Sequence, residues 1–358
     1  MVVAVNPDNV VGTVQPNSLF HLLGPVVLTR HSRRNSQIAV SGLTALLVIL
    51  GSVVWESTGF GQTPGTKLNP GDILYVDSGN TVDGGFVIKV DPISHQETVL
   101  SSGGLLQMPF APLIDSNGQI IVSDSGRLIR INPKTGNQTV IANNSRGLLG
   151  YPLGMALSQS GAILAANLRG IIQVNPVNGQ IRTVSTGGNF VFPVDVAVGP
   201  NGQLLVLNIA FPSQIVRVNP QTGAQQVVSQ GGYFNNPQAI TVAGNDIYVT
   251  DVATADGNFG IGRILRVDGQ TGGQTVVSTG GNLVGPVGIA MDANGQLIVG
   301  DPYTVNPQSL DIVDGGYDGA ILRIDPASGA QTVLARGQGG YVNARGVTVV
   351  PNPGAGGR

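Results

Sequence analysis

Side chains able to do acid–base or nucleophilic chemistry are scarce in this sequence, and their positions are informative. The histidines are His21, His31 and His95, and the glutamates are Glu56 and Glu97; cysteine is absent. Two histidines lie near the N-terminus and the third in a turn, so neither a Ser–His–Asp triad nor a histidine metal cluster is expected. Aspartate is the residue that clusters. Three Gly-rich stretches run Asp77 to Gly85 with Asp83, Asp251 to Gly262 with Asp256, and Asp301 to Gly319 with Asp311, Asp314 and Asp318. Oxygen-rich, adaptable loops of this composition suit Ca²⁺, which takes six to eight oxygen ligands. The eight aspartates are the candidate metal ligands, although no EF-hand or nonapeptide calcium motif is present. Tyr303 and Tyr317 stand in the same stretches.

The elements that must position these loops repeat. One unit recurs with starts near Gly71, Gly118, Gly161, Gly202, Asn245 and Gly295, a period of roughly forty to fifty residues. Each copy holds four short runs of Val, Ile and Leu, read as strands a to d, separated by turn chemistry. The c–d turns share one design: Asn132-Pro133 to Gly136, Asn219-Pro220 to Gly223 and Asp325-Pro326 to Gly329. Asp or Asn opens the turn with its side chain, Pro fixes φ, and Gly takes the left-handed position. His95 replaces that glycine in the first copy.

Four-stranded units in series predict an all-β, six-bladed propeller of antiparallel blades. The chain enters at strand b and ends on strand a over 345–350. The last strand a must therefore complete the first blade and close the ring. This order puts the b–c and d–a loops on one face. The long b–c stretches of blades 5, 6 and 1 are then neighbours there.

Two columns of strand a bear on a site at the central tunnel. The first reads Phe110, Leu153, Val194, Gln238, Val287 and Arg345; the second reads Ala111, Gly154, Asp195, Ala239, Gly288 and Gly346. Asp195 is the one acid among small residues, and Arg345 the one cation in its column. Asp195, Gln238 and Arg345 are candidate ligand-binding residues, or Asp195 bonds neighbouring amides or pairs with Arg345. Tyr233, Tyr303, Tyr317 and Tyr341 join them as recognition aromatics. Tyr151 and Phe110, Phe190, Phe192, Phe211, Phe234 and Phe259 lie in or beside the same loops, as recognition surface or as plugs between blades. The Asp or Asn ending strand b and the Arg or Lys of strand c recur in nearly every copy, which reads as blade architecture.

The pattern Pro-x-Gly-Ile-Ala-x-Asp-x-x-Gly-x-Leu-x-Val-x-Asp resembles the NHL repeat. More loosely it is similar to the gluconolactonase and senescence-marker-protein propellers, over about residues 71–350. Gluconolactonase-like propellers hold a divalent metal through a Glu, and through an Asn and an Asp just before the Gly of strand a. This chain has neither Asn nor carboxylate in that column, and its glutamates lie elsewhere, so the resemblance does not extend to a lactonase site. Exported propellers of this look also resemble processing proteins in pathways for extracellular pigments such as scytonemin.

The rest of the composition sets the context. Fifty-three glycines and 22 prolines suit dense turns and oppose a helical fold. Net charge is −2, and the one dense basic cluster is Arg30, His31, Arg33 and Arg34. Nucleic acid is therefore not an expected partner. The cluster precedes an uncharged apolar run from Ile38 to Trp55. That arrangement reads as a signal peptide or N-terminal membrane anchor, with a periplasmic or extracellular product. The expected organisation is an unassigned extension (1–29), signal or anchor with linker (30–61), propeller (62–350) and flexible tail (351–358). The expected function is binding of a protein, glycan or aromatic small molecule on the loop-rich face, with Ca²⁺ as a candidate cofactor. The alternative is a metal-assisted periplasmic enzyme.

Overall fold

A computed structural model describes residues 66–78, 84–144, 147–252, 261–303, 319–336 and 344–352. The expected extension, signal or anchor, linker and most of the tail lie outside the described residues. Every regular element among the described residues is a strand. Blade 1 holds β1 (Ile73–Asp77), β2 (Phe86–Val90) and β3 (Glu97–Ser102). Blade 2 holds β4 (Pro109–Ile114), β5 (Ile120–Asp124), β6 (Arg127–Ile131) and β7 (Gln138–Asn143). Blade 3 holds β8 (Met155–Leu157), β9 (Ile163–Asn167), β10 (Gly170–Val174) and β11 (Ile181–Thr186). Blade 4 holds β12 (Phe192–Val198), β13 (Leu204–Ile209), β14 (Gln214–Val218) and β15 (Gln225–Gln230). Blade 5 holds β16 (Pro237–Ala243), β17 (Asp246–Asp251), β18 (Arg263–Asp268) and β19 (Gln274–Thr279). Blade 6 holds β20 (Gly288–Met291), β21 (Leu297–Asp301), β22 (Ala320–Ile324) and β23 (Gln331–Ala335). The last strand, β24 (Ala344–Val349), pairs antiparallel with β1. It completes blade 1, and Gly71 N–H to Val350 O (2.9 Å) extends the closure. The chain is a six-bladed β-propeller.

Strand b is buried on both faces because each blade packs between two others: β1, β5, β9, β21 and most of β13 and β17 are fully covered. Their side chains fill one apolar core per seam. Ile73, Tyr75 and Val90 meet Ile298, Ile321 and Leu334 where the ring closes. Leu207 and Ile215 meet Val249 and Leu265 between blades 4 and 5.

Each outermost strand carries a β-bulge at the same place. Val216 pairs with Val227 and Ile215 with Ser229, so Val228 is skipped in β15. Leu100, Ile141, Val184, Val277 and Leu334 are skipped likewise. A bulge bends an exposed edge and blunts it against further pairing. Here it also turns the following residue toward the next blade. Those residues are Ser101, Ala142, Ser185, Ser229, Ser278 and Ala335, all buried.

Four of these residues are serines, and they form a repeated clip. Ser101, Ser185, Ser229 and Ser278 donate to the carbonyls of Gly136, Gly223, Gly272 and Gly329 in the next blade's c–d turn, at 2.8–2.9 Å. A glutamine opening that blade's outer strand reaches back. Gln274 Nε2 donates to Ser229 Oγ (2.9 Å) and Gly231 O (3.0 Å), and its Oε1 accepts from Tyr233 N–H (2.7 Å). Gln138, Gln225 and Gln331 repeat the pattern on Leu105, Asn189 and Asn282. The seams without serine differ at both partners. Between blades 2 and 3, Ala142 faces Ile181 in an apolar cluster. At the closing seam Ala335 stands opposite the blade bearing Glu97, whose Oε1 accepts from Tyr75 Oη (2.9 Å).

The strand-c cations strap the outside. Lys89, Arg130, Arg266 and Arg323 lie 3.5–4.0 Å from Asp72, Asp115, Asp246 and Asp292. Arg130 also donates to Pro176 O (2.6 Å), Arg217 to Gly269 O, and Arg323 to Pro92 O (3.5 Å), each in the next blade.

The c–d turns adopt the expected conformation. Gly136, Gly179, Gly223, Gly272 and Gly329 sit at φ of 68° to 73°, and His95 at 61°. A Cβ on Gly272 would stand 2.1 Å from Val228 O, whereas one on Gly295 (φ 76°) would meet nothing within 4 Å. Gly272→Ala therefore adds a collision across the seam to the roughly 1 kcal/mol of left-handed strain that Gly295→Ala incurs alone. In urea unfolding, Gly272→Ala is expected to cost clearly more than Gly295→Ala. Equal costs would contradict the tight seam.

Candidate functional site

The b–c/d–a face begins where strand b ends. In five blades its terminal Asp or Asn accepts backbone amides, in four of them from the incoming d–a loop. Asp124 takes Gln107 and Met108 N–H, Asn208 takes Val191 and Phe192 N–H, and Asp251 takes Asn235 and Asn236 N–H, at 2.8–3.2 Å. Asp301 takes Val284, Gly285 and Tyr303 N–H at 2.8–3.1 Å. Asn167 instead accepts Arg169 and Gly170 N–H, and its amide donates to Leu148 and Leu149 O. Burial pushes the Asp301 carboxyl up to about 7 against the pull of its three amides. Among the candidate metal ligands, Asp77, Asp251 and Asp301 are buried. Asp83, Asp256, Asp311, Asp314 and Asp318 lie outside the described residues, as do Tyr317 and Tyr341. Among the described residues no group of three or more His, Cys, Asp or Glu could hold a metal ion.

Strand a lines the centre, and the second column is where adjacent blades touch. A Cβ on Gly346 would lie 2.7 Å from Ala111 Cα, one on Gly288 3.0 Å from Gly346 Cα, and one on Gly154 1.7 Å from Asp195 Oδ1. This closeness explains the small residues. Asp195 uses the space above Gly154 and links blades: its Oδ1 accepts Val196 N–H (2.8 Å) and its Oδ2 accepts Ile240 N–H of blade 5 (2.9 Å). No ion pair joins it to Arg345, three blades away. The Arg345 guanidinium lies 5.6 Å from the Phe110 ring centroid in the adjacent blade. Gln238 donates to Asn236 Oδ1 (2.8 Å). The three tunnel candidates thus have separate partners and form no common cluster.

The d–a loops sort the aromatics. Phe234 is buried between blades 4 and 5, and Phe192 packs on the same cluster; Phe190 packs between blades 3 and 4. Tyr303 lies across Gly285, where a Cβ would stand 2.6 Å from its ring. Tyr151 and Tyr233 face outward, as do Val191 beside Phe192 and, on the b–c loop of blade 4, the fully exposed Phe211. Tyr233 is outward yet fixed. Gln274 holds its N–H, Arg263 Nη2 donates to its carbonyl (2.5 Å), and the Arg263 guanidinium lies 5.9 Å from its ring centroid. Asp251 stands 3.8 Å behind Arg263. An open groove of about 530 Å³ beside it is lined by Gln230, Tyr233, Thr271 and Gln274. Sequence reasoning singled out Tyr233 but not Val191 or Arg263. The available signal was the Gly-Gly-x position, occupied by Leu105, Asn189, Tyr233 and Asn282, where a tyrosine is held out by the glutamine clip.

No protein-family model matches the chain, and no curated protein matches it. Solved structures do. It is similar to a chain in the crystal structure of a nidogen/laminin complex, with a TM-score of 0.58 and 15% identity over 78% of this chain and 98% of that one. It is also similar to TolB from Acinetobacter baumannii, with a TM-score of 0.57 and 16% identity over 79% of this chain and 67% of that one. These likenesses concern the propeller fold.

Asp195 predicts a pH dependence. Its carboxyl is raised from 3.8 to about 7, by burial first, with the two amides opposing. The folded protein therefore binds this proton more tightly than the unfolded chain, and stability falls as pH rises from about 4 to about 7. Asp301 acts with the same sign. Asp195→Asn, which removes the titration while its NH2 gives up one of the two accepted amides, is expected to flatten this decline, read as the slope of melting temperature against pH. An unchanged pH profile would show that Asp195 ionises normally.

Proposed function

We propose that this chain is an exported binding propeller that engages a protein partner through its b–c/d–a face. The carrying observation is the set of exposed apolar side chains Val191, Phe211 and Tyr233, with the Val191 and Tyr233 amides held by Asn208 and Gln274. Ordered apolar groups held in water are what recognition surfaces use, because little conformational entropy is lost when they are covered. A fold-similar chain crystallised in a protein complex is consistent with this use of the scaffold. A glycan or aromatic small molecule would meet the same aromatic surface. The proposal includes kinship with NHL-repeat propellers, supported by the strand-a signature. It also includes export, supported by the basic flank before Ile38, and Ca²⁺ on the acidic b–c stretches of blades 5, 6 and 1.

A photo-crosslinking residue placed at Phe211, in cells that make the protein, is expected to give a discrete protein adduct. Tyr233→Ala should weaken that adduct. The same label at Ile93, exposed in a c–d turn on the opposite face, should not give it. No adduct, or the same adduct from both faces, would contradict the proposal. For the metal, chelator treatment of the purified protein is expected to lower its melting temperature; no change would remove Ca²⁺ from the account.

A further inference from the structure

The chain joins the propeller on the face opposite the one that carries Phe211. Ile73 pairs with Val90 and with Val349, so the start of β1, the end of β2 and the end of β24 lie at one end of blade 1. Gly71 N–H donates to Val350 O (2.9 Å), Val350 N–H donates to Asp72 O (2.8 Å), and Lys89 lies 3.5 Å from Asp72. The c–d turn of the same blade, Asp91 to Gln96, leaves from this end. Everything upstream of Thr66 therefore enters on the a–b/c–d face, at the blade that bears that turn.

The two most exposed aliphatic side chains among the described residues stand on this face. Ile93 and Val177 are each 90% exposed. Both follow the proline of a c–d turn, Ile93 on blade 1 and Val177 on blade 3; Lys134 has the equivalent position on blade 2 between them. These tips are held out by their turns. Asp91 Oδ1 accepts Ile93 and Ser94 N–H (2.9 and 2.8 Å), and Asn175 Oδ1 accepts Val177 and Asn178 N–H (2.8 and 3.3 Å). The preceding blade braces each turn, Arg323 through Pro92 O (3.5 Å) and Arg130 through Pro176 O (2.6 Å). Charge on this face is mixed, with Lys67 and Lys134 against Asp91, Asp268 and Asp325, so a zwitterionic surface suits it better than a strongly charged one.

We propose that the a–b/c–d face of blades 1 to 3 rests on a lipid bilayer. Ile93 and Val177 enter the boundary between headgroups and acyl chains, and Lys134 reaches a headgroup phosphate from its long apolar stem. The inference rests on the reading of the run from Ile38 to Trp55 as an anchor that stays on the chain. Ten residues, 56–65, separate that run from Thr66. They reach at most about 40 Å, so an anchored chain has its shortest path to the membrane from this face. Tethering raises the local concentration of bilayer, so two aliphatic contacts too weak to hold a free protein suffice here. The b–c/d–a face then points away from the bilayer, open to a partner.

The test uses the full chain reconstituted in phosphatidylcholine vesicles whose acyl chains carry bromine near the headgroup. Because the chain has no cysteine, Ile93→Cys, Val177→Cys and Phe211→Cys each take a single fluorophore. The labels replacing Ile93 and Val177 are expected to lose at least half of their emission to the bromine, and the label replacing Phe211 none. A label on Lys134→Cys should be quenched as well, and adding Ile93→Asp with Val177→Asp should abolish that quenching while the chain still floats with the vesicles. Unquenched labels at Ile93 and Val177 on a floating chain would overturn the docking and leave the anchor standing. A full chain that does not float would reject the anchor, and the docking with it. Equal quenching at Phe211 would also overturn the docking. So would labels at Ile93 and Val177 that are shielded as protein concentration rises and not by lipid, which would assign the tips to a second copy of the chain.

Discussion

A serine hydroxyl donating to a glycine carbonyl in the next blade is the contact on which much of this ring depends. It joins two features that no single blade could supply. The bulge in the outer strand aims the serine sideways, and the left-handed glycine brings the next turn close enough to receive it. The glutamine then closes the arrangement by bonding the serine, the loop carbonyl and the loop amide together. Each such bond contributes about 1 kcal/mol net. Their larger effect is to fix the angle between neighbouring blades, whose apolar cores would tolerate sliding. Where the hydroxyl is missing, as at Ala142 against Ile181, the glutamine is missing too and the seam is apolar. A lone glutamine there would bury an unsatisfied amide.

The same clip connects scaffold to surface. The loop amide held by glutamine belongs to Leu105, Asn189, Tyr233 or Asn282. The residue after it plugs the seam, as Leu106, Phe234 and Leu283 do. A d–a loop is thereby pinned at consecutive positions, one side chain outward and one inward. Blade 4 exploits this by placing tyrosine at the outward position, beside Val191 and Phe211. The terminal Asp or Asn of strand b fixes the remainder of most of these loops. The Tyr233 amide is consequently tied to the next blade through Gln274.

Much of the fold was legible because it repeats. Six strand-a copies that vary one Pro-x-Gly-Ile-Ala theme and the recurring Asn-Pro-x-x-Gly turn specify blade number, turn conformation and closure through β24, and even His95 takes the glycine conformation. The small-residue column was legible as a pattern; its cause, contact between adjacent inner strands, was not. The clip was hidden because Ser229 and Gln274 lie on different blades, so the recurrence of serine and glutamine along the outer strands does not show that they meet. Asp195 and Arg345 stood out as departures in neighbouring columns. Their partners, amides of blade 5 for one and Phe110 for the other, depend on which strands are adjacent. The acidic b–c stretches were conspicuous by composition. Of the exposed row over blade 4, Tyr233 and Phe211 were legible as loop aromatics, whereas Val191 was not, because a lone valine looks like a core residue until its loop is in place.

The most direct test of the clip is a double-mutant cycle at the seam between blades 4 and 5. Ser229→Ala and Gln274→Ile together recreate the apolar pair found naturally at Ala142 and Ile181. Singly, Ser229→Ala leaves Gln274 with Gly231 O and Tyr233 N–H, and Gln274→Ile leaves Ser229 with Gly272 O, so each variant first removes the bond between them, worth about 1 kcal/mol. If the two side chains act as one unit, the double variant loses less stability in denaturant unfolding than the sum of the singles, by about 1 kcal/mol or more. Losses that simply add would contradict the account, because serine and glutamine would then hold the seam independently.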